Sequence, residues 1–101
     1  MSPRVEMAAG RADRDGDLVE ALRRGESEGA ECLVSGHGDR AYRLAMRITR
    51  NERDAEDVVQ EAFQTALATI EAFHGESTFA SWLHRIVAAA AHRKLHGAVA
   101  A

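Results

Sequence analysis

Residues 54–67 read DAEDVVQEAFQTAL, and residues 73–87 read FHGESTFASWLHRIV. Through the first stretch and just beyond it, apolar residues recur at intervals of three and four, which favours a helix of about five turns. The series is Ala55, Val58, Val59, Ala62, Phe63, Ala66, Leu67, Ile70 and Phe73. Asp54 is its predicted N-cap, with Asp57 three residues later. No other segment of the chain predicts its secondary structure as strongly.

The second stretch predicts a last helix that begins at Ser77, its predicted N-cap, and closes near residues 95–97. The residues before it, His74-Gly75-Glu76, end the preceding helix. The inward-facing positions are Phe79, Trp82, Leu83, Ile86, Val87, Ala90 and Ala91. We expect Phe79 and Trp82 to be core residues, since they lie on this apolar stripe.

Upstream, two more helices are predicted. A short one, Leu18–Arg24, has Asp17 as its cap and Gly25 as its stop signal. Another begins near Ser27, although Gly29 weakens its first turn. No strand pattern is found, so we predict an all-α fold, a compact antiparallel bundle of about four helices.

The second helix contains an obstacle, the sequence Ser35-Gly36-His37-Gly38. Each glycine costs about 1 kcal/mol in a helix interior, so either the helix breaks here or tertiary packing overrides propensity. From Asp39 onward the helical pattern is regular again. One side carries Tyr42, Ala45, Met46, Ile48 and Thr49, and the other carries Arg40, Arg43, Arg47 and Arg50.

Length and composition describe one small domain. The chain has 101 residues, of which 46% are hydrophobic and 29% charged, as in ordinary soluble globular proteins. We expect residues 1–16 to form a flexible tail, residues 17–97 the domain and residues 98–101 a second tail. No segment is apolar and long enough for a signal peptide or a membrane span, which favours a cytoplasmic location without membrane insertion.

Enzymatic and metal chemistry have little support. Cys32 is the one cysteine, which excludes a disulfide framework and a cysteine-rich zinc module, and we expect it to be buried. His92 and His96 stand four residues apart on one helix, but no third ligand accompanies them. We therefore predict no catalytic site, no metal and no cofactor.

Charge is unevenly distributed around a net value of −3. Residues 51–75 are strongly acidic, and residues 76–101 are mildly basic and contain His84, His92 and His96. Two partners bound by two helices would explain this asymmetry, and so would ordinary solvated helix faces.

The two quoted stretches resemble region 2 of bacterial RNA polymerase sigma factors of the extracytoplasmic-function type. In that family a D-A-E-D-hydrophobic-V-Q-E-hydrophobic-F helix precedes an F-x-G-E-S-x-F-x-x-W-L-x-R-I loop and helix. The likeness covers about residues 17–95. It implies a transcription-initiation factor that binds core RNA polymerase and recognises and melts the −10 promoter element.

The resemblance also implies roles for individual residues. The acidic helix would dock on the clamp coiled coil of the largest polymerase subunit through Asp57, Gln60, Glu61 and Gln64. The loop would capture a base flipped out of the −10 element, and the matching residues are His74, Gly75, Glu76, Ser77 and Thr78. Capture of a single strand also needs cations for phosphates, which Arg85, Arg93 and Lys94 can supply.

Two departures from the family pattern keep alternatives open. Residues 88–91 are all alanine where many members have polar residues facing DNA, and alanine offers no hydrogen bond to a base. The helix-turn-helix region that reads the −35 element is missing, so the chain is an isolated domain or a natural short form. An anti-sigma factor is an expected partner, and a decoy that binds only that factor is the alternative function. A third hypothesis is a bundle that self-associates through its alanine face.

Overall fold

The computed structural model describes residues 14–100, with side chains through residue 97. Within them the chain forms four α-helices and one 3₁₀ turn, and no strand. The elements are α1 (Gly16–Arg23), α2 (Ser27–Thr49), α3 (Glu52–Thr69), the 3₁₀ turn (Ile70–Ala72) and α4 (Phe79–Ala100). The all-α prediction is confirmed. Of the tail predicted over residues 1–16, residues 1–13 lie outside the described part.

Helix α1 ends at Arg23, just before the predicted stop signal Gly25. Gly25 has a φ of +71°, its N–H donates to the Leu22 carbonyl, and the Glu26 N–H donates to the Ala21 carbonyl. These two bonds satisfy carbonyls that the end of a helix would otherwise leave unpaired. At the other end the predicted cap is wrong, because the helix begins at Gly16 and Asp17 lies in its first turn.

Helix α2 runs without a break through Gly36 and Gly38. Packing overrides propensity here because His37, between the two glycines, is buried. Its Nε2 lies 3.1 Å from Oδ1 of Asp15, just before α1, and its ring meets the edge of Phe79 at a centroid distance of 5.4 Å. The histidine thus joins the start of α1 and the start of α4 to the middle of α2.

A close approach between α1 and α2 explains Gly29, which the sequence analysis treated only as a weak helix residue. A Cβ at this position would lie 3.2 Å from the backbone carbon and the Cβ of Ala21. Glycine therefore allows the first turn of α2 to pack directly on α1.

The turn between α2 and α3 places Arg50 in the left-handed region, with φ 57°. Asn51 follows as the N-cap, and its Oδ1 accepts the Asp54 N–H at 2.9 Å. The prediction of Asp54 as the cap is wrong, since the helix begins at Glu52 and Asp54 is the residue whose N–H is capped. A side-chain oxygen at Asn51 reaches that N–H because the cap residue precedes it by three.

The core lies where α2, α3 and α4 pack against one another, with α1 closing one end. Its buried apolar residues include Leu33, Ala45, Val58, Ala62, Phe63, Phe79, Leu83 and Val87. Phe73, Phe79 and Trp82 form an aromatic cluster with ring centroids 5.3–5.9 Å apart. The core assignment of Phe79 is confirmed, and Trp82 is half-buried against the same cluster.

Three further expectations are wrong. Cys32 is exposed, not buried, because it falls on the solvent side of α2 next to buried Leu33. Leu67 was placed on the buried stripe of α3, but 40% of its surface is exposed. Helix α4 continues to Ala100 beyond the end expected near residues 95–97, since the alanines around Gly97 favour helix enough to offset one glycine. The predicted domain boundaries stay predictions.

Candidate functional site

The predicted polymerase-binding residues form an exposed row on α3. Asp57, Gln60, Glu61 and Gln64 all face solvent. The opposite face of the helix is buried through Val58, Ala62, Phe63 and Ala66. The row is therefore held in place by the core and remains open to a partner. Leu67 extends it, since it lies seven residues after Gln60 and three after Gln64. Leu67 was expected on the buried stripe, because helical spacing does not separate the edge of an apolar stripe from its centre.

Two ion pairs connect this row to α4. Arg93 Nη2 donates to Glu61 Oε2 at 2.6 Å, and Lys94 Nζ donates to Asp57 Oδ2 at 3.2 Å. All four side chains are at least one third exposed, so each pair contributes little to stability. The structure thus brings two cations predicted to contact DNA into contact with two acids predicted to contact polymerase.

The predicted promoter loop, residues 74–78, lies between two buried aromatic residues, Phe73 and Phe79; residues 74–76 are exposed, and Ser77 and Thr78 are half-buried. Gly75 has a φ of +86°, a conformation that favours glycine, and the His74 N–H donates to the Glu76 carboxylate at 3.3 Å. Arg23 of α1 donates to the Phe73 carbonyl at the start of the loop. Both ends of the loop are therefore fixed to the bundle while its tip faces solvent.

The last part of the loop starts α4. Thr78 Oγ1 accepts the Ser81 N–H at 3.1 Å, which makes Thr78 the N-cap. The predicted cap at Ser77 is wrong, because its Oγ donates to the Thr78 carbonyl and accepts a hydrogen bond from Arg85 Nη2 at 3.2 Å. The Ser77 hydroxyl therefore contacts Arg85 of α4 and does not cap a backbone N–H of the helix.

The three cations predicted to bind DNA separate into two places. Arg85 contacts the loop through Ser77. Arg93 and Lys94 lie at least two helical turns further along α4, about 12 Å away at 1.5 Å per residue, where they pair with α3. Only Arg85 lies beside the loop.

The alanine run of α4 is mostly a packing feature. Ala90 and Ala91 are buried against the core, Ala88 is half-buried, and Ala89 alone of the run is exposed. Small residues there allow α4 to lie close to its neighbours.

Neither a metal site nor a membrane helix is found within the described residues. No group of three or more potential ligands occurs in that part of the chain. His92 and His96 lie with their ring centroids 6.4 Å apart. None of its helices is long and apolar enough to cross a bilayer.

Comparison with known proteins identifies the family. The sequence model of Sigma-70 region 2 matches residues 33–98. The ECF RNA polymerase sigma factor SigE of Mycolicibacterium smegmatis is 46% identical over 54 residues, 54% of this chain and 21% of that protein. The ECF RNA polymerase sigma-E factor of Haemophilus influenzae is 42% identical over 73 residues, 71% of this chain and 38% of that protein.

The RNA polymerase sigma-H factor of Pseudomonas aeruginosa is 35% identical over 74 residues, 73% of this chain and 38% of that protein. This chain therefore spans well under half the length of these relatives. No solved structure matches it at a significant level. The family match covers most of the helical bundle, including α3, the loop and most of α4, so the chain belongs to the Sigma-70 region 2 family, in its extracytoplasmic-function branch.

Proposed function

We propose that this chain is a transcription-initiation module that binds core RNA polymerase through α3 and presents the loop at residues 74–78 to the −10 promoter element. The observation that carries the proposal is the family match across residues 33–98, which includes both the acidic row and the loop. The polymerase-binding residues are Asp57, Gln60, Glu61 and Gln64. The module binds its partners and catalyses no reaction of its own.

The exposed row on α3 supports the first half of the proposal. Its acidic and amide groups are open to solvent, and the buried opposite face fixes their spacing. A basic helical partner such as the clamp coiled coil would meet complementary charge, which speeds association and sets register.

The loop supports the second half. Residues His74, Gly75 and Glu76 are exposed at its tip. The hydroxyl groups of Ser77 and Thr78 at its base already donate and accept one hydrogen bond each within the chain, so each offers a base one remaining acceptor lone pair. A base drawn out of the duplex needs polar groups along its edges and a cation for its phosphate. Arg85, which already contacts Ser77, is the nearest of the predicted cations. Arg93 and Lys94 would contribute to DNA binding from the far end of α4.

An anti-sigma factor that covers these surfaces is part of the proposal as a regulatory partner. The decoy alternative rested on the alanine run, and the burial of Ala90 and Ala91 weakens that argument. These two side chains pack in the core, so their lack of polar groups says nothing about whether the chain binds DNA.

The experiment is a pull-down of core RNA polymerase by the purified chain, comparing wild type with the double variant Gln60→Ala/Glu61→Lys. We expect wild type to retain polymerase and the variant to lose it while keeping its helical circular dichroism. Addition of a fluorescent −10 single strand to the retained complex tests the loop. A wild-type chain that binds neither polymerase nor strand would contradict the proposal and favour the decoy.

A further inference from the structure

An open groove of about 480 Å³ lies between α2 and the first two turns of α4. It is lined by Arg40 of α2 and by Ala80, Ser81, His84 and Arg85 of α4. The lining holds two guanidinium groups, an imidazole and a hydroxyl, and no carboxylate. All of these polar groups can donate hydrogen bonds, which is the chemistry that recognises a phosphate.

Arg40 is a cation that no carboxylate neutralises within residues 14–97. In that part of the chain Arg23, Arg24 and Arg93 pair with carboxylates, whereas Arg40 and Arg85 form no ion pair. Arg40 has no such partner in the same part of the chain, and it is exposed at the groove. Its five donors therefore remain available to a ligand.

The groove and the promoter loop share one bordering side chain, Arg85. Arg85 lines the groove and also donates to Ser77 Oγ at 3.2 Å, so one guanidinium borders both features. A strand with one nucleotide at the loop would run past Arg85 towards Arg40. An open groove bordered by arginines is the form in which proteins hold a nucleic-acid backbone without reading its bases.

We propose that Arg40, His84 and Arg85 bind a backbone phosphate of the single strand whose neighbouring base is held by the loop. This inference rests on the proposed function and adds Arg40 and His84 to the DNA-binding surface. An acidic protein would also pair with the two arginines, but the contact of Arg85 with the promoter loop favours a nucleic-acid strand.

The test measures binding of a fluorescent −10 non-template strand to the full chain in complex with core RNA polymerase. The variants are Arg40→Ala, Arg40→Lys and the control Arg53→Ala, which removes an exposed arginine of α3 outside the groove. We expect Arg40→Ala to weaken strand binding about tenfold, as loss of a charge-assisted hydrogen bond predicts. Arg40→Lys recovers part of that loss, and Arg53→Ala changes strand affinity less than about twofold.

Salt dependence distinguishes a phosphate contact from a structural effect. Removal of one phosphate contact lowers the slope of log K against log salt by about 0.7 for a single strand. We expect that change in Arg40→Ala and not in Arg53→Ala. Retention of polymerase by both variants separates the groove from the α3 surface.

Several results would overturn the inference. If wild type binds the strand and Arg40→Ala binds it equally well, the groove does not hold the strand, while the proposed function stands. If wild type with polymerase binds no strand, both fail. If Arg40→Ala keeps the strand but loses binding of a poly-glutamate peptide, the groove serves an acidic protein. If Arg40→Ala holds the strand as tightly as wild type but loses binding of inorganic phosphate, the groove binds a free anion.

Discussion

Arg93 of α4 donates to Glu61 of α3 at 2.6 Å, across the interface between the two helices that carry the candidate binding surfaces. A neighbouring pair, Lys94 with Asp57 at 3.2 Å, repeats the arrangement. A partner that takes Glu61 must therefore compete with Arg93 for the same carboxylate, or share it. Since both pairs are exposed, that competition costs the partner little.

The charge exchange Glu61→Arg/Arg93→Glu separates pairing from partner binding. It restores an opposite-charge pair at the same place, so we expect the free energy of unfolding to stay within about 1 kcal/mol of wild type. Polymerase affinity should still fall about tenfold or more, because a cation now faces the basic partner. Urea unfolding and the polymerase pull-down measure the two effects. Full polymerase binding by the exchanged variant would show that Glu61 is not part of the contact.

Substitution of glycine by alanine should change stability in opposite directions at two positions of α2. Gly36→Ala meets no atom within 4 Å and should stabilise the chain by about 0.5–1 kcal/mol, because alanine favours helix. Gly29→Ala would place its Cβ 3.2 Å from the backbone of Ala21, which cannot yield as a flexible side chain could, so it should destabilise. Urea midpoints of the two variants check this. Equal stabilisation by both would contradict the close approach of α1 and α2.

Helix α2 shows which features of the fold can be predicted from the sequence and which cannot. Helices with long apolar series were predictable because period and turn signals are local. Continuity of α2 through Gly36 was not, since it depends on His37 being buried between Asp15 and Phe79, residues far from it in sequence.

In the candidate site, too, some features could be predicted from the sequence and others could not. The residues of the α3 row and of the loop were predictable from their motif, and the structure leaves the α3 row and the tip of the loop exposed. The contact of Arg85 with Ser77 and the pairing of Arg93 with Glu61 were not, because they depend on how α4 packs beside the loop and α3. The burial of Cys32 was mispredicted for a related reason, since residue type alone does not say which side of a helix a position occupies.

Tyr42, the one tyrosine of the chain, provides a prediction on pH. Partial burial raises the pKa of its phenol, and the carboxylates of Glu52 and Glu56 raise it further. Phenolate absorbance should therefore show a higher midpoint in the native chain than in urea, where the value is about 10. Because the pKa is higher in the folded chain, the neutral phenol of Tyr42 contributes to the free energy of unfolding. This contribution is complete below about pH 10 and is lost as pH rises through the folded pKa. Equal absorbance midpoints in the native chain and in urea would contradict the prediction. Glu52→Gln should lower the midpoint of the native chain.

Leu67 should contribute to polymerase binding rather than to folding. Its side chain is 40% exposed and continues the row of Gln60 and Gln64, so a partner docked there would cover it. Leu67→Gln should weaken polymerase binding about fivefold, as burial of part of a leucine predicts, and change unfolding by only about 0.5 kcal/mol. The matched control is Val34→Gln on α2, where the valine is 58% exposed and lies outside the row. Equal loss of polymerase binding in both variants would indicate a general effect of exposed apolar area, and loss of stability in Leu67→Gln would assign the leucine to the core after all.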